Sequence, residues 1–122
     1  MGYYSDFQGA IRATFVDTDT AATALDELRR RAVYDRSGFA CMFEFRRDES
    51  TIVASVDRFE KWYDSESDTA ALVYWLTDHG ATSVNGDVEV IGETPRDDMW
   101  RIHVADGVVT TQDGHIVYKE TR

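Results

Sequence analysis

FACMFEFRRDESTIVASVDRF, residues Phe39–Phe59, has the pattern of a β-hairpin. Phe39, Cys41, Phe43 and Phe45 alternate with Ala40, Met42, Glu44 and Arg46, which predicts a strand with one aromatic face. Arg47-Asp48-Glu49-Ser50 is a charged turn, and Thr51 to Phe59 is the returning strand. Upstream, residues 7–16 place Phe7, Gly9, Ile11, Ala13 and Phe15 on one face of a first strand. Asp17-Thr18-Asp19 then supplies capping chemistry for a helix over 19–34. Its apolar positions are Ala21, Leu25, Leu28 and Ala32, its end is basic, and Ser37-Gly38 breaks it. Downstream, Ser65-x-x-Asp68 is a capping box with Asp in place of Glu. The helix it opens buries Ala71, Leu72, Trp75 and Leu76, with His79 at its margin, and stops at Gly80. A strand over 82–92 follows.

The order β-α-β-β-α-β predicts an α+β domain spanning 1–122, an antiparallel sheet with two helices on one face, in a split βαβ or ferredoxin-like core. Residues 93–98, with the only proline, Pro95, form a polar loop before a strand over 99–105. Asp106-Gly107 is a strong hairpin turn, so a C-terminal β-hairpin is appended. Residues 108–120 make its last strand or a pair of strands, with Asp113-Gly114 as a bulge or second turn. The expected core is Phe7, Ile11, Phe15, Leu25, Leu28, Phe43, Leu72, Leu76 and Trp100.

Composition narrows the class. With 122 residues, 43% of them hydrophobic, the chain can build one core. No apolar run approaches the roughly 18–20 residues of a membrane span. The start, Met-Gly-Tyr-Tyr-Ser-Asp-Phe, lacks the basic and apolar regions of a secretory signal. The single Cys41 has no partner for an internal disulfide and sits between Ala40 and Met42, as a core residue in a reduced compartment would. A cytoplasmic protein without membrane attachment is expected.

Charge carries the functional information. The net charge is −10, and Asp57 to Asp98 holds eleven acids against Arg58, Lys61 and Arg96, a net of −8. Such a field repels nucleic acid and attracts basic partners. Arg outnumbers Lys eleven to two and Asp outnumbers Glu fifteen to eight, which also suits a GC-rich or salt-adapted source. Arg29-Arg30-Arg31 is the one basic run, and within so acidic a chain it is a helix-end cluster rather than a phosphate site.

Three segments, in chain order, resemble a group of small uncharacterised bacteriophage and viral accessory proteins. They are Gly2-Tyr3-Tyr4-Ser5-Asp6-Phe7, then Lys61-Trp62-Tyr63-Asp64, then Gly92-Glu93 with Asp98-Met99-Trp100-Arg101 and Asp106-Gly107-Val108-Val109. Where that group has a His-bearing helix start, this chain has Asp64-Ser65-Glu66-Ser67-Asp68, and residues 17–57 carry none of the likeness. The resemblance implies a phage accessory protein acting in the host cytoplasm and carries no activity with it.

No nucleophile elbow, P-loop, GxGxxG or Cys/His pair is present, so no enzyme is expected. His79, His103 and His115 lack metal-ligand spacing, and Glu93, Asp97 and Asp98 lack an EF-hand pattern, so neither metal nor cofactor is expected. His103 falls on the polar, exposed face of its strand. The leading expectation is a protein that docks on a basic surface of a host protein and inhibits it by nucleic-acid charge mimicry or counter-defence. Its docking residues would be Asp64, Glu66 and Asp68 at the second helix, and Asp87, Glu89, Glu93, Asp97 and Asp98 from the fourth strand and its loop. Trp62 would be the anchor if exposed; alternatively Trp62 is a core aromatic beside a cap at Asp64 or Ser65. A second expectation is a nucleotide-like ligand held among Tyr3, Tyr4, Trp62, Tyr63 and Arg101, and a third is an acid-base enzyme. The sequence leaves the oligomeric state open.

Overall fold

The computed structural model of the protein describes residues 4–35, 38–92 and 99–114. Strand β1 (Ser5–Phe15) alternates as expected, sending Phe7, Ile11, Ala13 and Phe15 into the core. Helix α1 (Thr18–Tyr34) starts where the Asp17 carboxylate accepts the Thr20 N–H at 2.7 Å. That backbone bond, and then the Thr20 hydroxyl, hold the Asp17 carboxyl below the usual carboxylate range. The hairpin comprises β2 (Glu44–Asp48) and β3 (Thr51–Glu60), turning at Glu49 with φ 52°. Helix α2 (Ser65–Asp78) leads to β4 (Ala81–Ile91), and β5 (Met99–Ala105) turns through Asp106-Gly107 into β6 (Val108–Asp113).

The six strands form one sheet in the order β2-β3-β1-β4-β5-β6, every pair antiparallel. The first four are the expected βαββαβ core, and the β5–β6 hairpin extends the sheet beyond β4. Helix α1 packs over β1, β3 and β2, while α2 packs over β4 and β6. The helix-facing rows Phe7/Ile11/Ala13, Ile52/Ala54/Val56, Val84/Val88/Val90 and Ile102/Val104 meet Leu25 and Leu28 of α1 and Leu72 and Leu76 of α2. No helix among the described residues covers the opposite sheet face, where Val53, paired with Arg12 and Arg46, is nevertheless buried.

Two expectations need correction. Phe39–Met42 is not strand but a 3-10 turn, closed by Cys41 N–H to Gly38 O and Phe43 N–H to Ala40 O. It wedges against both helices, with the Arg31 guanidinium 5.2 Å from the Phe39 ring centre. The aromatic alternation there arises from packing beneath helix ends, not from pleating. Cys41 is only partly buried and its thiol donates to Gly38 O. Trp100, expected in the core, is half-buried at the sheet's end, though the other predicted core side chains are buried. Residues 115–120 of the expected last strand and the loop 93–98 lie outside the described residues.

Strands β1 and β4 pair in regular register through Ala10 and Asp87. Gly9 (φ 155°) and Gly86 (φ 153°) flank that pair diagonally. A Cβ on Gly9 would collide with the carbonyl of Asp87, and one on Gly86 with the carbonyl of Ala10. Only glycine tolerates both the backbone conformation and the approach. Gly86→Ala is expected to cost at least about 1–3 kcal/mol of backbone strain, with the collision added. Gly80→Ala, also at positive φ but with nothing nearer than Thr20 Cγ2 at 3.6 Å, should cost less. Equal losses in urea melts of the two variants would show that the β1–β4 approach does not constrain the sheet.

Candidate functional site

Charge is partitioned across the sheet. From Asp64 to Asp113 the described residues carry Asp64, Glu66, Asp68, Asp78, Asp87, Glu89, Asp106 and Asp113 against Arg101 alone. These belong to α2, β4, β5, β6 and their turns. Arg12, Arg29, Arg30, Arg31, Arg46, Arg47, Arg58 and Lys61 all belong to the half built from β1, α1, β2 and β3. The expected acidic stretch is therefore divided. Asp57 and Glu60 sit on β3 in the mixed half, and the remainder lies in the α2–β4–β5–β6 half. Glu93, Asp97 and Asp98, expected in the docking surface, lie outside the described residues.

At the head of α2, Trp62 is 7% exposed and is no surface anchor. Its ring sits 5.1 Å from Phe7 and edge-on to Phe43 at 5.5 Å. The indole N–H donates to Asp68 Oδ2 at 2.8 Å. A buried indole needs an acceptor, so Asp68 is occupied in holding the helix head rather than offered to a partner. The first turn closes through Asp68 N–H to Asp64 O and Ser67 O–H to Asp64 O, while the Asp64 carboxylate makes no cap bond. Asp64 and Glu66 remain exposed.

Asp87 and Glu89 occupy the uncovered sheet face, since Val88 and Val90 between and beside them face the helices. Opposite Asp87 in register is His103, and opposite Glu89 is Arg101. His103 Nδ1 bonds to Asp87 Oδ1; a carboxylate only accepts, so Nδ1 carries the proton. Arg101 Nε donates to Gln112 Oε1 on β6 and stands 3.8 Å from Asp87 Oδ1. The one Arg or Lys of this half among the described residues is thus already engaged, and His103 is half-buried and paired rather than simply exposed. The exposed acids at the head of α2 and those of β4 lie on opposite sides of the sheet, so the expected docking residues do not form one flat patch.

The expected ligand pocket is not assembled. Trp62 lies in the helix-side core, whereas Arg101 lies on the opposite sheet face. Tyr63 is exposed in the turn before α2, and Tyr4 stacks on Phe59 at 5.1 Å with Lys61 Nζ 5.0 Å from its ring. Tyr3 lies outside the described residues. Instead, a groove of about 390 Å³ opens at the sheet's end, lined by Glu89, Ile91, Met99, Trp100, Arg101, Gln112, Asp113 and Gly114. Its lining is mostly apolar; Glu89 stands on the uncovered face, while Asp113, opposite Trp100 in register, belongs to the helix-side row at the end of β6. Of the expected site residues among those described, only Glu89 and Arg101 contribute. Sequence reasoning missed the groove because its lining comes from three strands joined only through register; the alternation over 99–105 was the available signal.

A second cluster pins the two helices. His79 stacks on Trp75 at 3.6 Å, its Nδ1 lies 2.8 Å from Trp75 O, and its Nε2 lies 3.4 Å from Glu27 Oε2 of α1. No group of His, Cys, Asp and Glu among the described residues is arranged to hold a metal ion. No helix among them is long and apolar enough to cross a membrane. Comparison with protein-family models, curated proteins and solved structures gives no match to this chain.

Asp68→Ala is expected to cost about 1–3 kcal/mol by leaving the buried Trp62 N–H without an acceptor. Trp62→Phe in the same background should recover part of that loss, because phenylalanine has no donor to satisfy. Strict additivity in a double-mutant cycle of chemical denaturation would show that the two side chains do not act together.

Proposed function

We propose that the protein is a docking module that binds a basic surface of a partner protein through its α2–β4–β5–β6 half. The observation that carries this reading is the charge partition: among the described residues this half has eight acids and one Arg, which is itself held by Asp87 and Gln112. Unbalanced charge over one half of a small molecule orients encounter with a cationic surface and repels phosphate. Protein surfaces that bind nucleic acid are the commonest of that kind. Occupying one mimics the nucleic acid's charge and excludes it. The resemblance to bacteriophage accessory proteins supports a host protein as the partner, bound in the host cytoplasm, with inhibition or counter-defence as the outcome.

The structure refines which residues do what in this reading. Glu89, on the uncovered face, and Asp113, at the end of β6, border the groove and form the contact, while Asp64 and Glu66 at the head of α2 contribute to the field. The experiment is capture of the tagged protein's partner from host lysate at low salt, followed by binding kinetics on the purified pair. Glu89→Lys with Asp113→Lys should abolish capture with the fold intact, because both side chains are exposed at strand surfaces. Asp64→Lys with Glu66→Lys should slow association about tenfold or more with little change in dissociation. Double-stranded DNA should compete for the partner. Capture that survives both pairs of reversals and about 0.5 M salt, where the screening length falls to a few ångströms, would leave the acidity as solvation only.

A further inference from the structure

The sheet has two edges, and they are built differently. β2 reads Glu-Phe-Arg-Arg-Asp, charged at all but one of its five positions, and the Arg29 guanidinium donates to its Phe45 carbonyl at 3.0 Å. Those are the devices by which proteins close an edge to further pairing. β6 reads Val-Val-Thr-Thr-Gln-Asp, with neither Lys, Arg nor Pro and no charge before Asp113. Among the described residues nothing pairs with its outer side.

The register shows which backbone groups are offered. Asp106 (φ 50°) and Gly107 (φ 77°) make a two-residue turn, so Ala105 and Val108 close the hairpin as a hydrogen-bonded pair. The parity runs to the far end, where Gly114 N–H donates to Met99 O at 2.8 Å. The N–H and C=O groups of Val108, Thr110 and Gln112 are therefore turned to β5, and those of Val109, Thr111 and Asp113 point outward. Around this open row stand Asp106 at one end, Asp113 at the other and Glu89 beside the groove.

We infer that β6 is the docking edge: an extended, Lys- or Arg-bearing segment of the partner adds to it as a seventh, antiparallel strand. This rests on the docking reading above and names the form the partner takes. Backbone hydrogen bonds to Val109, Thr111 and Asp113 hold the segment. Charge complementarity selects it, because its cations meet Asp106 and Asp113 at the strand's ends. One long side chain lays its aliphatic stem on Ile91 and Met99 in the groove and sets its charged end beside Glu89. A second copy of this chain would bring the same acids to the same edge and be repelled.

The probe is a capped ten-residue peptide alternating lysine with valine, compared with the same peptide N-methylated on every residue, which keeps the charge but has no N–H on either edge to pair. The full-length protein should bind the first at least tenfold more tightly than the second. On binding, the amides of Val109, Thr111 and Asp113 should gain at least tenfold protection from hydrogen exchange. Thr111→Pro removes an outward N–H and no β5 bond, so the fold should persist, as checked by its melting transition, while peptide affinity falls at least tenfold. Thr111→Ala, which keeps the N–H, should bind like the parent. Equal binding of the two peptides, or parent-like binding by Thr111→Pro, overturns the edge. If salt-sensitive capture of the host partner persists in that variant, the docking reading itself still stands. Protection of those amides in the free monomer would place the chain's own segment on the edge. A concentration-dependent dimer dissociated by Thr111→Pro would place a second copy there. Either result overturns the inference.

Discussion

The central strand pair of the sheet, β1 with β4, depends on two positions that accept no side chain, Gly9 and Gly86. The two strands are its centre, and they join a half covered by α1 to a half covered by α2. With side chains at either glycine the backbones could not reach each other's carbonyls, and the Ala10–Asp87 pair would separate. Asp87 bonds His103 across the next strand pair, and Arg101 stands between Asp87 and Gln112. The seam that joins the halves thus also sets the polar network on the uncovered face.

A second constraint is the burial of Trp62. An indole inserted between Phe7 and Phe43 ties the start of α2 to β1 and to the end of the 3-10 turn, and its N–H commits Asp68 to the fold. With the strongest candidate anchor thus enclosed, the docking proposed above would use groups that remain outward: backbone at β6, Glu89 and the apolar lining of the groove. In that proposal charge acts at long range and backbone pairing at short range, the division of labour expected where electrostatics set encounter and hydrogen bonds set register.

The partition of charge follows from topology as much as from composition. α1 ends in Arg29-Arg30-Arg31 and packs above the strands that bear Arg12, Arg46, Arg47 and Arg58, so the basic residues collect on one side. The β5–β6 hairpin, appended beyond the four-stranded core, lengthens the sheet on the acidic side and carries the uncharged edge outward. Without that hairpin, β4 would be the edge, and its Asp87 and Glu89 would border it directly.

The element order, both helices, the hairpin turns and nearly all of the core were legible in the sequence, because capping, turn chemistry and hydrophobic period are properties of neighbouring residues. The acidity and the absence of familiar catalytic spacing were legible for the same reason. The tertiary structure decided what depends on distant partners. The aromatic alternation at Phe39–Phe45 became a 3-10 turn leading into a strand, because space beneath the helix ends, not pleating, received Phe39. Trp62 entered the core because Phe7 and Phe43 came together from separate strands. Asp57 parted from Asp87 because β3 and β4 flank β1 on opposite sides. Which acids share a surface, and which strand stands at the edge of the described sheet, are matters of register and strand order, and no window of local sequence contains them.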